Sequence, residues 1–498
     1  MIPAASTTAA SAPPAFCIAD KYTNREILED PAKAKAFEDE YLAGESKYFD
    51  VVHDPKTGLI YDGVNLDPKT GEVQAVRNWS APSKECLDLG VLVKALEGDP
   101  KAAIVVGHGD PAAAKAKAEE LLGKKIGAYN DFQANNPGYA GFLPWYGIED
   151  GKATAKPDWK NKIPGLDNGE WMWTMLDAEQ ALRNAGSTEL ADKYGKYNQM
   201  LQDNVTKVFY DPQGHACRGD VQILDPGNPD TGYAPVNPGS YMTGEHGVHE
   251  GSMLIHYLTL FGKGLPEGAA DKIWGNIHMK RVENPHGTTW QGFWGSAHES
   301  WAYTFMPLRD DKDYANLFRI REEVRSQNAA ERGYPGFATS VNGPKGDYLS
   351  AAGIEGIGSQ PVTAQNTFTP YGSFPMLQEF SDKTGPNYGL AWLHNMLEAP
   401  RMEGPVGSGE SEDNNGDAFA AMKTTDGTLP IWLAMMGGLE KETAQVMKDK
   451  GVYDTFMNRI DSKYQETFGS APLREPEGFA APGVEVPHQL LGDYLVTK

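Results

Sequence analysis

Charge-free and amphipathic helical segments alternate along this chain, and a single packed layer cannot accommodate both kinds. His249 to Gly262 and Leu429 to Met436 are almost without charge, so as helices they must be surrounded by protein on every side. Glu189 to Phe209 sets an apolar stripe among many charges, as an outer helix does. The 3.6-residue period recurs in about thirteen segments, among them Ala32 to Phe49, Ser83 to Leu96, Pro111 to Lys125, Glu170 to Asn184 and Lys441 to Lys463, while clean alternating strands are scarce. Roughly alternating inner and outer helices predict two concentric rings, an all-α (α/α)6 barrel. A helix-rich solenoid is the architectural alternative, although no exact repeat is present.

Between the helices lie long segments, Asp54 to Pro82, Ala128 to Gly169, Asp211 to Gly247, Arg332 to Ser373 and Ala399 to Thr428. The 55 Gly and 34 Pro residues concentrate the chain's turn chemistry there. Loops of this length are uncommon in compact domains unless they carry function, and their Tyr, Trp and Phe content predicts ordered loops that roof one end of the barrel. No composition shift marks an internal linker. The expected organisation is an N-terminal tail over 1–30, one barrel domain over 31–470 and a C-terminal extension over 471–498 packed on the barrel.

Against 45 Lys and Arg stand 68 Asp and Glu, a formal charge of −23. That balance excludes a nucleic-acid binder working by charge and disfavours a polyanionic substrate, so a neutral ligand is expected. Three cysteines, Cys17, Cys86 and Cys217, permit at most one disulfide and lack metal-site spacing. Apolar runs stop well short of a membrane span. The Ala/Ser/Thr/Pro-rich stretch Ile2 to Ala15 reads as the start of a mature secreted chain from which a signal peptide has gone, and a monomer is expected.

Carboxyl groups at loop-to-helix junctions are the strongest chemical candidates. Glu250 shares a helical face with Met253, Leu254, Tyr257 and Phe261, so it points into protein, where burial raises a carboxyl and favours a general acid. Asp426 precedes an apolar helix with Pro430 in its expected first turn, an anion-favouring place suited to a base. Asp167, Glu170 and Trp173 enter a third helix, where acid and indole together suit a sugar. His249, Trp294 and Glu299 are further candidates for sugar contact, and His298 or Glu299 is a rival acid/base. The plain alternative throughout is capping by the acids and core packing by the aromatics. Ser83 is read as a structural N-cap. No nucleotide loop, metalloprotease motif or nucleophile elbow is present, and His246, His249 and Glu250 lack a further ligand, so neither metal nor cofactor is expected.

The order of these segments resembles the glucoamylase-like (α/α)6 hydrolases that include endo-β-1,2-glucanases, the fungal secreted branch especially. The likeness runs from Phe49 to Leu439 through Phe49-Asp50-Val51-Val52-His53, Ser80-Ala81-Pro82-Ser83-Lys84-Glu85-Cys86, Gly138-Tyr139-Ala140-Gly141-Phe142, Tyr334-Pro335-Gly336-Phe337 and Gly372-Ser373-Phe374-Pro375. It implies Glu250, in Gly247-Val248-His249-Glu250, as general acid and Asp426 as general base. It further implies inversion at the anomeric carbon, with protons relayed through a substrate hydroxyl or waters. Asp167 and Glu170 would line sugar subsites. The pattern departs over Ala399 to Thr425, where Glu410, Glu412, Asp413 and Asp417 are rival bases. The expected function is endo-hydrolysis of a neutral β-glucan, the β-1,2-linked polymer first, yielding β-1,2-linked glucooligosaccharides. A non-catalytic carbohydrate-binding protein, or a transglycosylase or lyase on the same barrel, is the alternative.

Overall fold

The computed structural model describes residues 16–228, 230, 232–242, 250–483 and 491–494. The expectations placed on Ile2 to Ala15, and on His246 and His249, lie outside the described residues.

Six outer–inner helix pairs follow one another along the chain: Pro31–Val51 with Pro82–Glu97, Pro111–Asn135 with Gly165–Asn184, Thr188–Phe209 with Ser252–Phe261, Ala269–Gly275 with Trp301–Phe305, Lys312–Arg332 with Phe374–Phe380, and Tyr388–Leu397 with Thr425–Met435. The ring closes. Pro82–Glu97 packs on Gly165–Asn184, which packs on Ser252–Phe261, while Phe374–Phe380 packs on Thr425–Met435 and that helix returns against Pro82–Glu97. This is the (α/α)6 barrel, and ring closure rules out a solenoid.

Burial separates the two rings as their sequences require. Every residue from Pro82 to Leu96 and from Thr428 to Met435 is buried. Thr188–Phe209 instead buries one stripe, Ala191, Tyr194, Asn198, Leu201, Val205 and Val208, and presents its charges to solvent. The inner helices approach closely. A Cβ on Gly169 would stand 2.6 Å from the Leu254 Cβ, so glycine at this place lets the second and third inner helices touch.

Several helix starts differ from the sequence expectation because partners elsewhere in the chain decide them. The N-cap of the first inner helix is Ala81, and Ser83 lies inside its first turn. Thr424 caps the last inner helix, with Asp426 its second residue and Pro430 in its interior rather than its first turn. Asp167 is the third residue of a helix that opens at Gly165. Lys441 to Lys463 is two helices, Glu440–Asp449 and Tyr453–Thr467, divided where Gly451 takes φ 70°. Asn24–Glu29 and Pro100–Gly107 are further helices that periodicity did not single out. Short antiparallel pairs order the long loops, for example Trp79–Ser80 with Tyr146–Glu149 and Lys152–Ala155. The three cysteines are free thiols, and no described helix is long and apolar enough to cross a membrane.

Beneath the barrel mouth a buried polar network ties the first inner helix to its outer neighbour. Glu85 accepts from Lys125 Nζ at 2.6 Å, the Tyr129 hydroxyl at 2.6 Å, the Tyr146 hydroxyl at 2.7 Å and the Ile60 amide at 3.0 Å. Lys125 also pairs with Asp88 at 2.7 Å, and Asp88 with His53 at 2.9 Å. Burial alone would raise the Asp88 carboxyl, yet His53 and Lys125 hold it at about 2. With its pKa depressed in the folded state, Asp88 stabilises the fold above its unfolded value of about 4, and that contribution is lost as pH falls towards 2. Lys125→Met leaves two carboxylates buried without their cation. A loss of about 3–5 kcal/mol in urea unfolding is expected, with a higher midpoint pH for acid unfolding.

Candidate active site

The inner helices begin at the same end of the barrel, and their first turns, with the residues just ahead of them, bring together Lys84, Asp167, Glu250, His298, Tyr371 and Asp426. Helix N-termini carry unpaired amides and partial positive charge, so a space where several converge favours acidic groups. No side chain caps the first three inner helices.

Glu250 lies just ahead of Ser252–Phe261, its carbonyl accepting from the Met253 amide at 3.0 Å. It is 3% exposed. Burial raises its carboxyl, Asp167 and Glu299 push the same way, and His298 opposes them. His298 Nε2 stands 2.9 Å from Glu250 Oε2, and His298 Nδ1 is 2.9 Å from the Tyr371 hydroxyl, which accepts from Trp301 Nε1 at 2.5 Å. With the indole donating to the phenol oxygen, the phenol proton is directed at Nδ1, so the neutral imidazole carries its proton on Nε2, facing Glu250. Burial by itself would lower His298, but Glu250 raises it above its ordinary value.

On the last inner helix Asp426 Oδ2 accepts from Lys84 Nζ at 2.6 Å. Asp426 Oδ1 has no hydrogen-bond partner among the described residues. Lys84 also stands 3.4 Å from Asp62, whose second oxygen takes Arg77 Nε at 2.5 Å. Charges thus alternate inward from Arg77 through Asp62 and Lys84 to Asp426. Burial would lower the Lys84 ammonium, yet Asp426 and Asp62 raise it. The Asp62 carbonyl also receives the Thr425 amide at 2.8 Å, fixing the helix start.

The remaining sequence candidates separate. Asp167 is buried, accepts from Trp145 Nε1 at 2.9 Å, and is raised by burial against the hydrogen bonds of Ser83 and Trp145. Glu170 is fully buried with neither oxygen hydrogen-bonded among the described residues, and burial with Glu250, Asp167 and Asp426 nearby holds it well above the carboxylate range. Burial thus favours the protonated form of this carboxyl. Trp173 does not reach the cleft: its indole donates to the Met253 carbonyl at 2.9 Å and packs edge-on to Tyr257 and Phe261. Glu299 is occupied as an anchor, accepting the amides of Trp294 at 2.7 Å and Ser296 at 2.6 Å and pairing with Arg321 at 2.7 Å. Trp294 is half-buried, its ring 6.2 Å from that of His298, so it flanks the cleft.

Among the rival bases, Glu410 is committed to Thr424 and to Asn342 at 2.8 Å. Glu412 is a buried strand residue whose carboxyl burial pushes to about 8, Asp413 faces Thr367 and Lys345, and Asp417 lies in an exposed turn. Among the described residues no three His, Cys, Asp or Glu side chains group as metal ligands.

The sequence singled out no chemical role for Lys84, Tyr371 or Tyr348. A lysine in a first helical turn opposes the dipole, and that anomaly was the available signal for Lys84. Tyr348 stands on a hairpin, Val341–Asn342 with Tyr348–Leu349, and is 57% exposed. Its phenol is nonetheless raised, by surrounding protein first and then by Asp426.

The family described as endo-β-1,2-glucanase SGL matches residues 59–498. An endo-β-1,2-glucanase from Talaromyces funiculosus in complex with sophorose superposes with a TM-score of 0.89 at 29% identity, covering 97% of this chain and 99% of that chain. A glutamate-to-glutamine mutant of that enzyme with β-1,2-glucan gives the same figures. An endo-β-1,2-glucanase from Chitinophaga pinensis, complexed with sophorotriose and glucose, shares the fold with a TM-score of 0.60 at 14% identity, over 84% of this chain and 97% of that chain. No curated sequence matches. The chain belongs to the endo-β-1,2-glucanase SGL family and is a glycoside hydrolase of β-1,2-glucan.

Proposed function

We propose that this enzyme cleaves β-1,2-glucan internally with inversion, Glu250 serving as general acid and Asp426 as general base. The observation that carries the reading is their placement at the starts of the third and sixth inner helices, Glu250 just ahead of one and Asp426 in the first turn of the other, opposite one another across a ring of six. Inverting hydrolysis needs two carboxyl groups far enough apart for a water beside the sugar, one protonated and one ionised. Burial raises Glu250, which suits a proton donor to the leaving oxygen. Asp426 has one oxygen bound by Lys84 and the other without a hydrogen-bond partner among the described residues, which suits a base that takes a proton from water. Lys84 positions that carboxylate, Asp167 and Trp294 line the sugar site, and His298 orients Glu250. A secreted enzyme is part of the same reading, supported by the composition of Ile2 to Ala15 and testable by recovering activity from culture medium.

Glu250→Gln and Asp426→Asn are each expected to lower kcat by about 10²-fold or more while melting near the wild-type temperature. Proton NMR of the first product should show the α-anomer from the β-linked substrate. Near-wild-type turnover in either variant, or a β-anomer formed first, overturns the assignment. Two carboxyl groups supply the acid and the base without a metal, so EDTA should leave turnover unchanged.

The pH profile tests the acid separately. Glu250 faces His298, Asp167, Glu170, Glu299, Tyr348 and Tyr371, of which His298 is the group that lowers its carboxyl. An acid must be protonated to act, so activity falls as pH rises through its pKa. His298→Asn removes the opposing charge, and the alkaline limb of kcat should move to higher pH even as kcat itself falls.

A further inference from the structure

Five tryptophans, Trp171, Trp173, Trp290, Trp392 and Trp432, are buried almost completely in this fold. Trp79, Trp145 and Trp159 are half-buried and stacked. Trp79 and Trp145 have ring centroids 5.5 Å apart, Trp145 and Trp159 5.2 Å apart, both at 28° between planes. With planes about 3.5 Å apart, such separations require a lateral offset of about 4 Å, so the rings overlap only in part, and among the described residues Trp159 has Trp145 as its one ring neighbour.

The inner end of this ladder is continuous with the catalytic centre. Trp145 Nε1 donates to Asp167, and Lys84, which holds Asp426, lies 4.8 Å over the Trp79 ring. Lys156 Nζ covers Trp79 at 4.0 Å, and the Lys156 amide donates to the Trp145 carbonyl at 2.8 Å. Trp159 is the outer step, on the 3-10 turn Pro157–Trp159, its carbonyl accepting from the Tyr139 hydroxyl at 3.3 Å. Backbone pairing of Trp79 with Gly147 and of Tyr146 with Ala155 makes the ladder rigid before any ligand arrives. Indoles held half in water forgo burial that they obtain elsewhere in the same molecule. The C–H faces of pyranose rings supply it, and the lysines are taken up by carboxylates and rings rather than left to select an anion.

We propose that Trp79, Trp145 and Trp159 form a stacking platform for the neutral glucan chain beyond the bond being cleaved, so that the enzyme binds polymer better than short oligosaccharide. The proposal rests on the assignment of the cleft at Asp426 and Glu250 as the site of glucan cleavage. Trp159 stands farthest from the catalytic groups and is the position to change. Binding of β-1,2-glucans of graded length is measured by calorimetry in the Glu250→Gln background, with Trp159→Ala and Trp159→Phe added to it. Trp159→Ala should weaken binding of long glucan by about tenfold and flatten the gain in affinity with chain length, and Trp159→Phe should restore most of that gain. Unchanged affinity for long glucan in Trp159→Ala overturns the proposal, as does an equal loss for the longest and the shortest ligand. If Glu250 is not the acid, the background protein itself hydrolyses the ligand, a readout distinct from failure of the platform.

Discussion

Helix N-termini that open into one space have amides to satisfy and positive potential to offset, and the chemistry of this cleft follows from that constraint. The outer helices Pro31–Val51, Pro111–Asn135 and Lys312–Arg332 satisfy theirs with Asp30, Asp110 and Asp311 as side-chain caps. The first three inner helices have no such cap, and acids in or beside their opening turns occupy the space instead. Lys84 is the cation that runs against this field. It is tolerated because Asp62 and Asp426 both face it, and the same pairing leaves one Asp426 oxygen unengaged.

Environment then divides carboxyl groups that are alike in sequence. Glu250 and Glu299 both stand at loop-to-helix junctions on neighbouring walls. Glu299 is saturated by successive backbone amides and the Arg321 guanidinium, and a Cβ on Gly292 would come within 2.6 Å of its carboxyl carbon, so the loop is wrapped tightly around it. Glu250 faces an imidazole that is itself held by Tyr371 and Trp301. Saturation by amides and a guanidinium makes Glu299 an anchor, whereas an imidazole partner at Glu250 is compatible with the acid role proposed for it.

The cleft depends on a rigid base. Glu85, next to Lys84 on the first inner helix, and Asp88, one turn further on, are locked to Lys125, Tyr129, Tyr146 and His53. A change in this buried network would tilt the helix that carries Lys84 and thereby displace Asp426. The stabilising network and Lys84, the partner of Asp426, share one helix.

Periodicity and charge were enough to identify the two rings, because a helix without charges has to be enclosed and one with a charged face has to be outside. The same logic picked out Glu250, whose neighbours on one face are all apolar, and Asp426, which leads an apolar helix. Sequence could not separate Trp173 from Trp145. Both lie near the Asp167 junction, yet Trp173 turns into the wall between two inner helices while Trp145 arrives from a loop to meet Asp167. Nor could it pair Lys84 with Asp426, because they lie on the first and last inner helices and meet only when the ring closes. Local composition sets which residues must be buried and which segments are helical. Which acid keeps an oxygen unengaged among the described residues, and which indole stays in water, is decided by partners distant in sequence that only the closed barrel brings within hydrogen-bonding range.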